Sequence, residues 1–300
     1  MAIIQTEKLS VYYGRQRGIH ELDLSVEPGE VYGFLGPNGA GKTTTLRVLM
    51  DIIRPSAGRA CIFGKDCQKH GVEIRKRVGY LPGELKLYTN IRAENYFQMI
   101  STIRGIANYQ AQASDYCERL NLDPGRVTGT LSHGNKQKVG LVAAFLGKPE
   151  LLILDEPTTG LDPLAQQAVI ELVREAKAEG RTIIFSSHIL SEVQAVCERV
   201  GIIRDGQIIT TERIEDLKRS QFHRLRLRFE KMPPVDCFKV YGALEVFRTE
   251  QELTLEIHEN LNQVLAHAVN YGIIDLADQP FSLEEIFLAH YGGRGNGQDA

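Results

Sequence analysis

The sequence predicts an α/β fold, in which helices cover a mostly parallel sheet, followed by a small α+β unit. Two observations support this prediction. Short apolar runs alternate with helical spacing through residues 31–53 and again through 151–210, which is typical of parallel strands buried on both faces. Beyond residue 220 the pattern becomes a strict apolar–polar alternation, which indicates a sheet with one buried face.

The first strands are predicted between residues 3 and 35, and a phosphate-binding loop follows them. An apolar run stops at residue 35, and helical spacing begins at residue 43. The segment between them fits the pattern G-x-x-x-x-G-K-[ST], in which backbone N–H groups and a helix N-terminus surround phosphate oxygens. The flanking strand and helix favour this interpretation over a chance glycine-rich turn. The loop consists of Gly36, Pro37, Asn38, Gly39, Ala40, Gly41, Lys42, Thr43 and Thr44.

Two side chains of this loop have predicted roles in nucleotide chemistry. Lys42 is expected to meet the β- and γ-phosphates, and the Thr43 hydroxyl is expected to ligate Mg²⁺. The loop therefore predicts a nucleotide site that uses Mg²⁺.

A helical insert is predicted over residues 85–140, between the two halves of the nucleotide-binding core. Residues 95–103 and 109–120 have helical spacing and no strand pattern. The core resumes with a buried strand over residues 151–155. A helix follows that opens with the Asp162-Pro163 pair and closes at a glycine.

The core is predicted to end with a strand, a helix and a hairpin. The strand covers residues 182–186 and the helix covers about 189–198. Asp205-Gly206, between two apolar runs, is a strong signal for a hairpin turn. The predicted core domain therefore spans residues 1–218.

The remaining chain is predicted to form a small α+β domain over residues 219–291. Strict alternation indicates strands near residues 224–229 and 253–257, and helical spacing covers 261–271. A further helix opens at Ser282 with a capping box. The glycine-rich end, residues 292–300, is expected to be disordered.

Composition excludes several classes of protein. The net charge of −3 offers no basic field for nucleic acid. No apolar run approaches the ~18 residues of a membrane span, and no secretion signal is visible. The five cysteines are expected to be reduced thiols. They are Cys61, Cys67, Cys117, Cys197 and Cys237.

Polar residues at the ends of apolar segments are candidates for chemistry. Asp155 and Glu156 end a buried strand, although a solvated acidic turn is an alternative. His188 follows the next strand and has either a catalytic or a packing role. Ser132 and Gly134 precede a helix, where a hydroxyl and a backbone N–H can bind phosphate; an ordinary helix cap is the other interpretation.

Three segments, in this order, resemble the ATP-binding cassette (ABC) ATPases. They are the phosphate loop over residues 36–44, the segment Leu-Ser-His-Gly-Asn-Lys-Gln-Lys over residues 131–138, and the acidic strand over 151–157. The resemblance covers residues 3–218. It implies a P-loop NTPase fold of the ABC type, with antiparallel N-terminal strands and a helical insert.

The resemblance also implies a role for each of the chemical residues. Asp155 holds Mg²⁺ through water, Glu156 is the base that orients the attacking water, and His188 contacts the γ-phosphate. Lys42 stabilises the transferred phosphoryl group. The implied cofactors are ATP and Mg²⁺.

Further residues are implied to bind ATP across a dimer. Ser132 and Gly134 would contact the γ-phosphate of ATP held by the partner subunit. Asp162 lies in a loop that crosses the interface, although it is also a plain N-cap. Tyr13 would stack on adenine; a core tyrosine, or Tyr12 in the same role, is the alternative.

The sequence departs from the family pattern beside the metal site. The family carries glutamine after Tyr-Leu-Pro, whereas here Gly83 and then Glu84 follow. A glycine has no side chain that could reach Mg²⁺. The polar contact that the glutamine makes is therefore either absent or passes to Glu84. If it passes to Glu84, the substitution Glu84→Ala should weaken Mg²⁺-dependent turnover. His133 and Asn135 also replace the family's usual glycine and glutamine.

The predicted function is that of the ATP-hydrolysing subunit of an ABC exporter. The implied partners are a separate membrane permease and a second cassette, either an identical chain or a paralogue, with no nucleic acid. The predicted location is the cytoplasmic face of the membrane. The alternatives are a non-transport ABC ATPase, which fits poorly because no long coiled coil is visible, and a module that binds ATP without hydrolysing it.

Overall fold

The computed structural model describes residues 2–14, 16–219, 223–257 and 260–279. The chain divides into two compact units, Met1–Ile214 and Glu215–Ala300. The domain boundary predicted after residue 218 lies close to this division. The predicted helix at Ser282 and the predicted tail over residues 292–300 lie outside the described residues.

The first unit alternates strands and helices along most of its length. Its strands are β1 (Ile4–Tyr13), β2 (Gln16–Val26), β3 (Val31–Leu35), β4 (Ala57–Ile62), β5 (Lys65–Asp66), β6 (Val78–Leu81), β7 (Leu151–Asp155), β8 (Thr182–Ser187), β9 (Arg199–Arg204) and β10 (Gln207–Arg213). Its helices are α1 (Lys42–Leu49), α2 (Gly71–Arg77), α3 (Ala93–Arg104), α4 (Tyr109–Arg119), α5 (His133–Phe145), α6 (Pro163–Ala178) and α7 (Leu190–Val196). The helix α8 (Ile214–Arg219) begins at Ile214, which is the last residue of the first unit.

Two sheets form the first unit. The larger has the strand order β10-β9-β3-β8-β7-β6, and all of its neighbours pair in parallel except the hairpin β9–β10. The smaller is antiparallel, with the order β2-β1-β4-β5. This arrangement confirms the predicted parallel core and antiparallel N-terminal strands.

The central strands β3, β7 and β8 are buried along their whole length. Burial on both faces explains why they appear in the sequence as continuous apolar runs rather than as alternating patterns. Because they run parallel, their carboxyl ends meet at one edge of the sheet. That edge receives the segments that begin at Gly36, Glu156 and His188.

The helical insert is attached to the core through α5. The predicted helices over residues 95–103 and 109–120 are present as α3 and α4. The helix α5 is buried from Gln137 to its end, and it packs closely on β6. A Cβ on Gly79 of β6 would lie 2.0 Å from the Ala144 carbonyl oxygen, so this approach requires glycine.

The second unit is an antiparallel sheet with a helix on one face. The strands are β11 (His223–Phe229), β12 (Ala243–Arg248), β13 (Glu252–Ile257) and β14 (Ile273–Asp278), in the order β12-β13-β11-β14, and the helix is α9 (Leu261–Val269). Leu225 and Leu227 of β11 pack with Val264 of α9, whereas Arg226 and Arg228 alternate with them and are exposed. The predicted one-faced sheet is therefore present.

Two further features agree with the composition. The cysteines are all free, and Cys67, Cys117 and Cys197 are buried. Among the residues that the model describes, no helix is both long enough and apolar enough to cross a membrane.

The contact between β6 and α5 can be tested with Gly79→Ala. The added Cβ meets a backbone oxygen that cannot rotate away, so we expect a loss of about 1–3 kcal/mol in the free energy of unfolding, measured with urea. The control is Gly125→Ala, whose Cβ would have no neighbour closer than 3.3 Å. Equal losses in the two variants would contradict close packing at Gly79.

Candidate functional site

The phosphate loop, residues 36–44, lies between β3 and α1. Gly39 and Gly41 have φ values of 82° and 109°, which residues with a Cβ rarely adopt. The helix α1 begins at Lys42, so its first N–H groups face the loop. This geometry suits an anion bound at a helix N-terminus.

Lys42 is held inside the loop. Its side chain is only 4% exposed, and Nζ donates to the carbonyl oxygens of Gly36 (2.6 Å) and Pro37 (3.1 Å). Nζ also lies 3.4 Å from Glu156 Oε1. The positive charge is therefore positioned between the loop and the acidic end of β7.

Asp155 is fully buried at the end of β7. Its Oδ1 accepts a hydrogen bond of 2.6 Å from Ser186 Oγ, whereas Oδ2 has no hydrogen-bond partner among the described residues. A buried carboxylate oxygen without a partner is costly and indicates a site for a cation or an ordered water. The Thr43 hydroxyl faces the same space, because both groups lie within 4 Å of the point that a Cβ on Gly83 would occupy. Two hard oxygen ligands at this position fit Mg²⁺.

Glu156 turns sharply away from the strand. Its φ is 48°, in the left-handed region that is uncommon for residues other than glycine. Its N–H donates to the carbonyl oxygen (3.2 Å) and to Oγ (3.0 Å) of Ser186. Its carbonyl oxygen accepts from Gln137 Nε2 at 3.1 Å. These bonds hold the strained conformation.

The Glu156 carboxylate and His188 are neighbours. His188 Nδ1 lies 3.4 Å from Glu156 Oε2, and the imidazole is 39% exposed. Because Oε1 faces Lys42, this carboxylate lies between two groups that the sequence places far apart. The structure therefore brings the loop lysine, the acidic pair and the histidine to one edge of the sheet.

A buried polar network behind the site was not found from the sequence. Glu192 of α7 accepts hydrogen bonds from Thr158 Oγ1 (2.6 Å) and Ser187 Oγ (2.5 Å). Ser187 Oγ also accepts from the Ile189 N–H at 2.9 Å. The network connects the turn after Glu156 to the segment that contains His188. The Ser187 hydroxyl lies in an apolar strand, where no sequence spacing marks it. Only its position directly before His188 could have suggested that it belongs to the site.

Ser132 and Asp162 are both helix caps. Ser132 Oγ accepts from the Asn135 N–H at 3.3 Å, and Asp162 Oδ1 accepts from the Ala165 N–H at 2.9 Å. Lys138 Nζ lies 3.4 Å from Asp162. The structure therefore agrees with the alternative interpretation of each residue as a helix cap. Both side chains are nevertheless exposed. None of the described contacts joins them to residues 36–44 of the same chain.

Gly134, in the first turn of α5, lies against the turn after Glu156. A Cβ there would be 2.5 Å from the Gly160 carbonyl oxygen. The N-terminus of α5 and the start of α6 therefore meet at one exposed surface.

The two tyrosines at the end of β1 differ in their surroundings. Tyr12 donates or accepts a hydrogen bond of 3.0 Å with His20 Nδ1. The Tyr13 ring lies against Gly18, whose carbonyl oxygen is 3.0 Å from the position of a Cβ on Gly41. The role of Tyr13 in adenine binding stays a prediction. At 45% and 49% exposure, neither is a core tyrosine.

Two groups near the site have shifted pKa values. The hydrogen bond from the Ala165 N–H, together with the nearby Lys138, lowers the pKa of Asp162. Burial raises the pKa of the Tyr80 hydroxyl, and the charge of Asp155 adds to the shift. Tyr80 is therefore neutral at physiological pH, and its hydroxyl is buried without a hydrogen-bond partner among the described residues.

Glu84, which the sequence suggested as a substitute metal contact, is exposed. Among the described residues it makes no hydrogen bond or ion pair with another side chain. Its role in metal binding stays a prediction.

Comparison with known proteins agrees with this geometry. Residues 19–159 match the ABC transporter family model. The chain is 33% identical to the bacitracin transport ATP-binding protein of Bacillus licheniformis, over 97% of this chain and 98% of that protein. It is 32% identical to the linearmycin resistance ATP-binding protein of Bacillus subtilis, over 72% of this chain and 70% of that protein.

A solved structure is similar in both sequence and fold. It is an ATP-binding subunit of an ABC transporter, with 30% identity and a TM-score of 0.68, and the match covers 72% of this chain and 92% of that one. The loop, the acidic pair and the nearly full-length similarity lead to one conclusion: this chain belongs to the ATP-binding subunits of ABC transporters, a family of ATPases.

Proposed function

We propose that this chain hydrolyses ATP with Mg²⁺ to drive a separate membrane permease, as part of an exporter. The observation that carries the proposal is the position of the Glu156 carboxylate, 3.4 Å from Lys42 and 3.4 Å from His188. A base, a phosphate-binding cation and an imidazole at one edge of the sheet are groups suited to ATP hydrolysis.

Nucleotide binding uses groups that are already directed towards the phosphate loop. The N–H groups at the start of α1 surround the phosphates, and Lys42 exchanges its bonds to the Gly36 and Pro37 carbonyls for bonds to β- and γ-phosphate oxygens. Tyr13 stacks on adenine. Its neighbour Tyr12 is less suited, because its hydroxyl is bonded to His20.

Thr43 and the Asp155 oxygen that accepts no hydrogen bond among the described residues would hold Mg²⁺, Asp155 acting through water. When bound, the ion would supply positive charge beside the phosphates. Ser186 keeps the Asp155 carboxylate in place from the opposite side through its hydrogen bond to Oδ1.

Glu156 orients the attacking water and accepts its proton. The water oxygen forms a bond to the γ-phosphorus while the bond from phosphorus to the ADP oxygen breaks. His188 holds the Glu156 carboxylate from one side and contacts the γ-phosphate, and Lys42 stabilises the negative charge. Most of the catalysis is therefore placement and electrostatic stabilisation.

The partner cassette completes each site. Ser132 and Gly134 bind the γ-phosphate held by the other subunit, and Asp162 lies at the interface. Exposure supports this proposal, since Ser132 and Asp162 are open to solvent and Leu164 beside them is 79% exposed. The partner is either a second copy or a paralogue.

Export is supported by the relatives, whose names describe bacitracin transport and linearmycin resistance. The permease is a different chain and selects the transported substrate. We place this subunit at the cytoplasmic face of the membrane, where ATP is available.

The catalytic proposal predicts the behaviour of Glu156→Gln. Loss of the base should lower ATP turnover by about 10²–10⁴-fold, with nucleotide binding retained. Gel filtration with ATP should then detect a stable dimer. The control Lys42→Ala should neither bind ATP tightly nor dimerise. An ATP-loaded Glu156→Gln protein that stays monomeric at high concentration would count against the two-cassette site.

The hydrogen bond from Gln137 to the Glu156 carbonyl can be tested with Gln137→Leu. This change keeps the side-chain size but removes the donor to the Glu156 carbonyl, a bond worth about 0.5–1.5 kcal/mol. We expect kcat to fall by about 3–10-fold, with unchanged ATP affinity measured by a fluorescent analogue. Gln110→Leu, on the exposed part of α4, is the matched control. A normal kcat would show that Gln137 does not position the base.

The partner proposal is tested by recovering the complex from native membranes. Tagged Glu156→Gln protein with ATP should bring down a polytopic membrane protein in stoichiometric amount, identified by mass spectrometry. The same pull-down with Lys42→Ala should recover much less. Recovery of soluble proteins or ribosomes alone would favour a non-transport ABC ATPase.

A further inference from the structure

Glu192, in the first turn of α7, joins two hydroxyl groups from different parts of the chain. Its Oε1 accepts a hydrogen bond of 2.6 Å from Thr158 Oγ1, and its Oε2 accepts one of 2.5 Å from Ser187 Oγ. Thr158 is 2% exposed and Ser187 is 1% exposed, so neither residue is open to bulk solvent. This arrangement, the Glu192 bridge, therefore connects two buried segments of backbone.

The two segments carry the proposed base and the proposed imidazole. Thr158 lies two residues after Glu156, and Ser187 lies directly before His188. His188 Nδ1 and Glu156 Oε2 are 3.4 Å apart. The Glu192 bridge therefore spans the same two segments whose side chains meet at the site.

The His188 side chain has few restraints of its own. The imidazole is 39% exposed, and it forms no hydrogen bond within the part of the chain that the structure describes. Ser187 is held more firmly, because its Oγ also accepts from the Ile189 N–H at 2.9 Å. The position of His188 relative to Glu156 thus depends on the backbone on either side of it, which the Glu192 bridge anchors.

A carboxylate at the start of a helix also has a simpler role. Negative charge in the first turn interacts favourably with the positive end of the helix dipole, and Glu215 of α8 has an equivalent position. That role needs only charge. The Glu192 bridge needs two hydrogen-bonding atoms on a side chain of sufficient length, so substitutions can separate the two roles.

We propose that Glu192 is a positioning residue for ATP hydrolysis, which sets the contact between Glu156 and His188 by joining Thr158 to Ser187. The proposal rests on the function proposed above, because Glu192 acts through the base and the imidazole. None of the described contacts joins Glu192 to residues 36–44. Its loss should therefore lower turnover and leave nucleotide binding intact.

The test compares Glu192→Gln with Glu192→Met, two uncharged side chains of similar length. Glutamine can keep both bonds of the bridge, because its carbonyl oxygen accepts from one hydroxyl and its amide donates to the other. Methionine can keep neither. We expect kcat to stay within about threefold of the parent value in Glu192→Gln and to fall by about 10–100-fold in Glu192→Met, since misplaced catalytic groups have effects of this size. The affinity for a fluorescent ATP analogue should be unchanged in both variants.

The matched control is Glu215→Met, which removes an exposed acid from the first turn of α8 and should leave kcat unchanged. Equal losses of kcat in Glu192→Gln and Glu192→Met would overturn the proposal, because charge and not the bridge would then be responsible. The parent kcat in Glu192→Met would overturn it as well.

The two hydroxyl groups provide a second test, which also decides the matter if Glu192→Met fails to fold. Thr158→Val and Ser187→Ala each remove one bond of the Glu192 bridge, and each should lower kcat by about 3–10-fold with unchanged affinity for the analogue. Unfolding in urea checks that each variant is folded under the assay conditions. The parent kcat in both hydroxyl variants would contradict the proposal.

Failure of the underlying function gives a different result. A parent protein without ATPase activity would reject the proposed function. The parent kcat in His188→Ala would reject the role of the imidazole and with it the inference. An active parent that loses turnover in His188→Ala but not in Glu192→Met would reject the inference alone.

Discussion

The site depends on the way the chain turns at the end of β7. In a continuing strand, adjacent side chains point to opposite faces, so Asp155 and Glu156 could not serve one site. The left-handed backbone of Glu156 removes that restriction, at a cost of about 1–3 kcal/mol. Ser186 offsets part of the cost, because its hydroxyl accepts from the Glu156 N–H and donates to Asp155. One buried serine of β8 therefore orients both acids.

The same turn connects the site to the helical insert. The Glu156 carbonyl accepts a hydrogen bond from Gln137 of α5, and α5 begins with the segment that is proposed to bind ATP on the partner subunit. The close packing of α5 on β6 extends this connection to Gly83 and Asp155. The insert therefore contacts the backbone of Glu156 directly, through Gln137 of α5.

The parts predicted well from the sequence are those whose chemistry is local. The phosphate loop, the acidic strand end and the hairpin at Asp205-Gly206 each depend on neighbouring residues, so their patterns are visible in a short window. The helix α2 and the strands β4 and β12 were not predicted, because their stability comes from tertiary packing that overrides weak local patterns. The contributions of Gln137 and Glu192 to the site were not predicted for a related reason. A polar residue in a helix does not reveal from the sequence which distant residue it will hydrogen-bond.

The sequence by itself indicated the parallel core, the residue types at the nucleotide site and the resemblance to the ABC ATPases. Those features follow from the spacing of apolar residues and from motifs within a few residues of one another. Only the tertiary structure decided that Tyr12 is hydrogen-bonded to His20, that Glu156 turns back to meet Lys42 and His188, and that Gly83 lies beside Asp155. Each of these depends on the distance between residues far apart in the chain, which the packing of strands and helices sets and local sequence does not.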